Sequence, residues 1–272
     1  MSDVVKIGII GKGFVGGAVA NGFKTDTVKQ FVVDPKISED NTIDKLVNEF
    51  DPPLLFVCVP TPQRDDQYDV DTSIVQQVLT ELHNQSYKGV VVIKSTITPH
   101  HLTTFKKDFK LRIVYNPEFL TEANAHDDFI NPNMQVLGGK WKDCDFVEKV
   151  YHRHSNVKVV PTFKVDLITA SLIKYTINSW LATKVIWFNQ LKELYDDSGA
   201  RSSWEQFTDM IKRDPRMGDT HMQVPGPDGQ KGFGGHCFPK DTKALLYYSK
   251  LKTKKLKVLN DIIKYNSNYR DD

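Results

Sequence analysis

Apolar residues along this chain fall into two patterns. In the first half they come as short, nearly unbroken runs at 4–10, 30–33, 54–59, 90–94 and 111–115, separated by stretches of helical spacing at 43–50, 72–84 and 100–107. Unbroken runs suit strands buried on both faces, and their alternation with helices predicts an α/β fold with a doubly wound parallel sheet. The second half changes period. Between 163 and 198, Leu167, Ala170, Ile173, Ile177, Leu181 and Phe188 recur on one helical face, and Gly199 stands where a C-cap belongs. A further helical stretch covers 256–268. These patterns place an α/β domain at 1–162 and an all-helical domain at 163–272.

The turn after the first run reads Gly11-Lys12-Gly13-Phe14-Val15-Gly16-Gly17 and leads into a helical stretch. Strand, G-x-G-x-x-G and helix in that order form a dinucleotide fingerprint of Rossmann type. Gly11 permits the turn, Gly13 lets backbone approach a pyrophosphate, and Gly16 lets helix and strand pack closely. The second run ends in Asp34, placed to meet the adenosine ribose hydroxyls, which favours NAD over NADP. Lys36 leaves two alternatives open, pairing with Asp34 or reaching toward a phosphate. Loops at the carboxyl ends of the later strands hold Val59-Pro60-Thr61-Pro62, Lys94-Ser95-Thr96 and Asn116-Pro117-Glu118-Phe119-Leu120-Thr121-Glu122.

Residues 232–241 read Gly-Phe-Gly-Gly-His-Cys-Phe-Pro-Lys-Asp. Cys237 and Asp241 lie one helical turn apart, and Pro239-Lys240 suits a helix's first turn, whose amides favour a thiolate. A structural turn with an inert buried cysteine fits the local pattern equally well. Lys174 and Asn178 share a helical face, and a solvated pair is the simplest reading of them taken alone.

Composition narrows the classes. The chain has 272 residues, of which 40% are hydrophobic and 26% charged, with a net charge of +2. That balance gives no reason to invoke nucleic acid, and the lysines of 252–257 read as a solvated helix face. No run approaches the roughly 18 apolar residues that span a membrane, and the first strand begins without a signal peptide, so a cytoplasmic enzyme is expected. Cys58, Cys144 and Cys237 are too few and too scattered for a disulfide framework or a thiolate zinc site. Asp65, Asp66, Asp69 and Asp71 lack the glycine and glutamate of a calcium loop, and His100-His101 reads as a helix start, so no metal is expected.

Together the motifs resemble the UDP-glucose/GDP-mannose dehydrogenase family. The resemblance rests on five ordered blocks: the glycine fingerprint, Val-Pro-Thr-Pro, Lys-Ser-Thr, Asn-Pro-Glu-Phe-Leu-x-Glu, and Ser171-Leu-Ile-Lys-Tyr-Thr-Ile-Asn178 followed by the Cys237 loop. It implies two NAD-dependent oxidations of a nucleotide sugar at C6, most simply UDP-glucose to UDP-glucuronate. Cys237 would capture the aldehyde as a thiohemiacetal that becomes a thioester. Lys174 and Asn178 would stabilise the C6 oxyanion, while Asp241, Thr96 and Glu118 handle protons and water. Gly11, Gly13, Phe14, Val15, Gly16, Asp34, Pro60, Thr61, Ser95, Thr96 and Glu122 would hold NAD. Glu118, Phe119, Leu120, Lys174, Asn178, Arg216, Phe233 and Gly234 would meet substrate, with Arg216 reaching across a homodimer built on the central helix.

The chain departs from the family pattern in stopping at Asp272, where a nucleotide-binding domain is expected to follow; a second polypeptide supplying it is one expectation. Ala123 replaces a usual glycine, and Val224-Pro-Gly-Pro-Asp-Gly-Gln230 lengthens the approach to Cys237 and offers further substrate contacts. Three readings follow: an active nucleotide-sugar dehydrogenase, a dehydrogenase of a smaller alcohol, and a non-catalytic NAD-binding subunit.

Overall fold

The protein is described by a computed structural model covering residues 4–64, 68–121 and 124–270. Glu122, Ala123, Asp65 and Asp66 lie outside the described residues. The chain divides into two compact units, Met1–Pro62 with Val70–Lys174, and Gln63–Asp69 with Tyr175–Asp272.

The first unit is a seven-stranded sheet of β1 (Val5–Ile10), β2 (Val28–Val33), β3 (Leu54–Val57), β4 (Val90–Ile93), β5 (Arg112–Tyr115), β6 (Gln135–Gly139) and β7 (Thr162–Val165). Their spatial order is β2-β1-β3-β4-β5-β6-β7. All neighbours pair parallel except β5 and β6, which run antiparallel through Val114 and Tyr115 opposite Gly139 and Gly138. Helices α1 (Phe14–Gly22), α3 (Ser73–Asn84), α4 (Pro99–Asp108), α5 (Ala125–Ile130) and α6 (Trp141–His154) connect the strands; between β2 and β3, α2 (Ile43–Lys45) widens into a π turn at Leu46–Phe50.

The unbroken apolar runs are explained by burial on both faces. Along β3, Leu55 and Val57 join the core containing Val75, Leu79, Leu82, Leu102 and Phe105, while Leu54 and Phe56 join the one containing Ala18, Val19, Val147 and Tyr151. Successive side chains point to opposite faces, and each fully buried aliphatic or aromatic side chain stabilises by roughly 1.5–3 kcal/mol.

The strand β7 lies where the sequence pattern starts a long helix, so the expected domain boundary at 162/163 falls inside a strand that pairs with β6. The helix α7 runs Leu167–Asp197. Asp166 sets its start: Oδ1 accepts from the amides of Ile168 (2.9 Å) and Thr169 (3.0 Å), and Oδ2 from the Thr169 hydroxyl (2.6 Å). These bonds, the hydroxyl foremost, hold the Asp166 carboxyl below its ordinary range. Gly199, in the left-handed region at φ 75°, follows its end.

The second unit is helical, with α8 (Trp204–Ile211), α9 (Phe238–Leu251) and α10 (Lys257–Asn266) beside the later turns of α7. Phe188, Trp204, Met222 and Val224 form one small core, and Ala182, Ile186 and Phe233 another, with Phe238, Ile262 and Tyr269 packed on it. A capping box at Ser203 and Gln206 starts α8. Among the described residues no helix is long and apolar enough to cross a membrane.

A Cβ at Gly16 would stand 1.9 Å from the carbonyl oxygen of Gly11, so backbone would have to move to admit one. Gly16→Ala should therefore lose about 1–3 kcal/mol of stability by urea unfolding. Gly13→Ala, whose Cβ meets nothing within 4 Å, should lose less than about 1 kcal/mol, the scale of an N-cap change; equal losses would sink the packing argument.

Candidate active site

In the first unit the chain leaves β1 for β2 on one side and returns to β3 on the other. The carboxyl ends of β1 and β3 therefore bound the crevice where open α/β sheets bind ligands. Gly11 sits at the end of β1 with φ 85°, and a Cβ there would lie 2.9 Å from the Cys58 carbonyl oxygen. Gly13 is the N-cap of α1, whose first turn carries no acidic residue to compete with an anion. Open space at Gly13 is what close approach of a pyrophosphate requires. Phe14 is exposed, and Val15 and Gly16 turn progressively inward.

Asp34 follows β2. Its Oδ2 accepts from the amide of Lys12, inside the glycine turn, at 2.6 Å, and its Oδ1 from the amide of Lys36 at 2.9 Å. The Lys12 bond is the main cause of a carboxyl held below its usual range. Each oxygen retains acceptor capacity for a ribose hydroxyl. Lys36 thus contributes its amide to Asp34. On the opposite side, Ser95 Oγ donates to the Val59 carbonyl at 2.6 Å and Thr61 Oγ1 to the Thr96 carbonyl at 3.0 Å. These bonds lace together the loops after β3 and β4, with Pro60 exposed and Thr96 half-buried between them.

Beyond β5 lies Glu118. Its Oε1 accepts from Lys174 Nζ at 2.9 Å, its Oε2 from the Leu120 amide at 2.7 Å, and its backbone carbonyl from Lys174 Nζ at 2.6 Å. The ammonium also lies 5.5 Å from the Phe119 ring centroid. Lys174 is only 2% exposed, so the solvated alternative is excluded. Burying such a pair is costly, and these hydrogen bonds offset part of that cost.

In the second unit Asn178, one turn beyond Lys174 on α7, donates from Nδ2 to Asp241 Oδ2 at 2.6 Å. Lys240 Nζ donates to the other oxygen at 2.5 Å, and Asp241 is fully buried. Cys237 is the N-cap residue of α9, with Pro239 in the first turn and the Asp241 amide donating to its carbonyl at 2.8 Å. The three thiols differ in setting. Burial pushes Cys58 up to about 12 and Cys144 up to about 11, which keeps both protonated and inert. Cys237 is partly exposed at a helix N-terminus.

The loop before Cys237 is held peptide by peptide. Asn266 accepts from the Phe233 amide at 2.8 Å and donates to the Phe233 carbonyl at 2.9 Å. Asn189 on α7 accepts from the Gly232 amide at 3.1 Å. Arg270 donates to the carbonyls of Lys231 (2.8 Å) and Gly232 (3.2 Å) and to Asp228 Oδ2 (2.6 Å). Gly232 at φ 74° has no room for a Cβ, which would meet Asn266 Oδ1 at 2.6 Å. The 224–230 loop, expected to offer substrate contacts, uses Asp228 as part of this brace. Phe233 likewise places its ring in the core, while Gly234 is half-buried. Arg216 is exposed and paired with Asp214 two residues away.

The sequence reading missed Asn189, Asn266 and Arg270. Their signal is faint: Asn189 and Asn266 are polar residues within helices that otherwise bury apolar faces, and Arg270 follows the last helix.

Three comparisons with known proteins agree with one another. Residues 24–155 match the UDP-glucose/GDP-mannose dehydrogenase family, NAD binding domain, and residues 168–268 match that family's central domain. A UDP-glucose 6-dehydrogenase of Rickettsia bellii is 34% identical over 221 residues, covering 78% of this chain and 48% of the relative. The chain spans about half the length of the curated relatives it matches. The fold is shared with a UDP-glucose dehydrogenase of Pyrobaculum islandicum (TM-score 0.78, 23% identity, 98% of this chain and 69% of that one). It is also shared with 3-hydroxyisobutyrate dehydrogenase of Mycobacterium tuberculosis (TM-score 0.73, 14% identity, 96% and 92%).

Removing the Asn266 amide leaves the Phe233 peptide groups buried without partners. Asn266→Ala should cost about 1–3 kcal/mol in urea unfolding and accelerate alkylation of Cys237 by iodoacetamide in the native protein. Unchanged alkylation would mean that the clamp does not set the cysteine's surroundings.

Proposed function

Because the chain belongs to the UDP-glucose/GDP-mannose dehydrogenase family, we propose that it oxidises the C6 alcohol of a nucleotide sugar to the acid in two NAD-dependent steps. UDP-glucose is the first substrate to test, from the names of the relatives. The observation that carries this reading is the thiol of Cys237 at the head of α9, one turn before an Asp241 that is fully buried and bonded to Asn178. A partly exposed thiol so supported suits capture of an aldehyde.

The glycine turn and Asp34 would hold the dinucleotide's pyrophosphate and ribose, with Thr61, Ser95 and Thr96 lining its other side, while NAD supplies the hydride acceptors. As the C6 hydroxyl proton passes to water and the first hydride leaves C6 to give the aldehyde, Lys174 would stabilise the charge on the C6 oxygen, and Asn178, on the same helical face, would share that oxygen. Cys237 sulfur then bonds to the aldehyde carbon and the carbonyl pair moves to oxygen. After the second hydride leaves, the carbon is held as a thioester. Water adds to it, a carboxylate of Glu118 or Asp241 takes the water's proton, and the C–S bond breaks to return the thiolate.

A homodimer is part of the proposal. Trp180, Trp187 and Leu194 recur every seventh residue along α7 and are 64%, 59% and 66% exposed. Such an apolar stripe suits a second copy of the same helix. A smaller alcohol as substrate is the second reading, favoured by the fold shared over 92% of 3-hydroxyisobutyrate dehydrogenase.

Incubation with NAD and UDP-glucose, UDP-N-acetyl sugars or GDP-mannose should give two NADH per sugar consumed. One NADH per alcohol would support the second reading, and none, with NAD bound, would place the rest of the substrate site in another polypeptide. Cys237→Ser should bind NAD normally and form no acid. Lys174→Ala should lower kcat by on the order of 10²–10³ with little change in KM, the scale for loss of an oxyanion donor; a pure KM effect would reassign it to ground-state binding.

A further inference from the structure

Besides the Glu118–Lys174 pair, the first unit buries a third charged group. Lys94 follows β4 and is only 3% exposed. Its Nζ donates to the Asn116 backbone carbonyl at 3.2 Å and to Asn116 Oδ1 at 3.0 Å, and stands 5.5 Å from the Phe129 ring centroid. Among the described residues no carboxylate forms an ion pair with it. Burial of an ammonium on neutral acceptors is unfavourable, so stability does not explain this residue.

Its position does. The carbonyl it bonds belongs to the Asn116–Pro117 peptide, two residues before Glu118. Asn116 is otherwise fully engaged: its amide donates to the Ile93 carbonyl at 2.9 Å, Nδ2 donates to the Val136 carbonyl at 2.9 Å, and Oδ1 accepts from Tyr151 OH at 2.9 Å. The ionisable groups acting on Lys94 are the Cys58 thiol after β3, Glu118 after β5 and Lys174 on α7, with Tyr151 of α6 reaching it through Asn116. Glu118 favours the Lys94 charge and Lys174 opposes it. Coulomb interactions are mutual, so the Lys94 charge also favours release of a proton by Lys174.

We propose that Lys94 is a positioning residue: it fixes the Asn116–Pro117 turn that delivers Glu118 to Lys174, and its charge makes Lys174 a stronger proton donor toward the C6 oxygen. The proposal rests on the role assigned above to Lys174. Burial lowers Lys94 to about 8, so this assistance is present at neutral pH and fades as pH rises through that value.

The test compares wild type with Lys94→Met, which matches the side chain's length without charge, Lys94→Gln, which keeps a donor, and Lys94→Arg, which keeps the charge. Wild-type kcat should carry a limb near pH 8. In the Met and Gln variants kcat at pH 7 should fall about ten-fold, the effect of one unit in a proton equilibrium, with KM for NAD little changed and the limb gone; Arg should restore part of the rate. A merely structural lysine would instead leave the pH profile in place.

Two readouts stand apart from turnover. Relative to Lys94→Met, wild-type stability should rise between pH 8 and 10, because there the unfolded chain binds the proton that the folded chain has lost. Carbon-13 NMR of the lysine Cε groups should show the Lys174 titration at higher pH in Lys94→Met than in wild type. An inactive wild type would defeat the proposed function and leave the NMR comparison to decide Lys94; an unmoved Lys174 titration overturns the proposal.

Discussion

The first unit is organised around an ammonium that has been taken out of water. Lys174 is buried on α7, and a charge in that position must find a carboxylate and further acceptors or lose its proton. Glu118 supplies a carboxylate oxygen and its backbone carbonyl. That requirement fixes where the loop after β5 runs. The Leu120 amide takes the remaining carboxylate oxygen, so one ion pair determines the path of the 118–120 peptide as well as the position of two ionisable groups. Lys94 is a second buried ammonium, held on the neutral acceptors of Asn116, which is the costlier arrangement.

The second unit solves a different problem by different means. A glycine-rich loop has little intrinsic preference for one conformation, and glycine loses more backbone entropy on ordering than any other residue. Cys237 would therefore be poorly placed if the loop were held by its own backbone. Instead Asn189, Asn266 and Arg270 bond consecutive peptide groups from 231 to 233, and Asp228 closes the brace on Arg270. The buried Phe233 ring anchors the same loop apolarly. On our reading, the permissive backbone allows close approach of substrate, and the side-chain brace removes the freedom that would otherwise come with it.

The parts of this arrangement legible in the sequence were those with local signatures. Glycines at fixed offsets after an apolar run marked the turn beneath α1, and Cys237 with Pro239 marked the start of α9. The strands β6 and β7 were less legible because their runs are short and, in β7, interrupted by Lys164. Asp166 ahead of α7 was a readable cap that the helical periodicity overrode. Buried partners were not legible at all. Nothing local distinguishes Lys174 from a surface lysine, since its setting depends on Glu118, 56 residues earlier in the chain, and Asn266 serves Phe233 across 33 residues.

The arrangement also bears on which of the two proposed chemistries it suits. Oxidation of an alcohol to a carbonyl needs a hydride acceptor, a base and a stabilised oxygen, and a buried lysine with a neighbouring amide meets the last need. It has no use for a thiol. Carrying the carbon on to the acid does, because an aldehyde has to become an adduct that can surrender a second hydride, and a sulfur adduct keeps it bound between the two steps. Of the three cysteines, two are silenced by burial. The third is partly exposed at a helix N-terminus behind a loop that three side chains hold in place. So much structure around one thiol argues for the longer reaction.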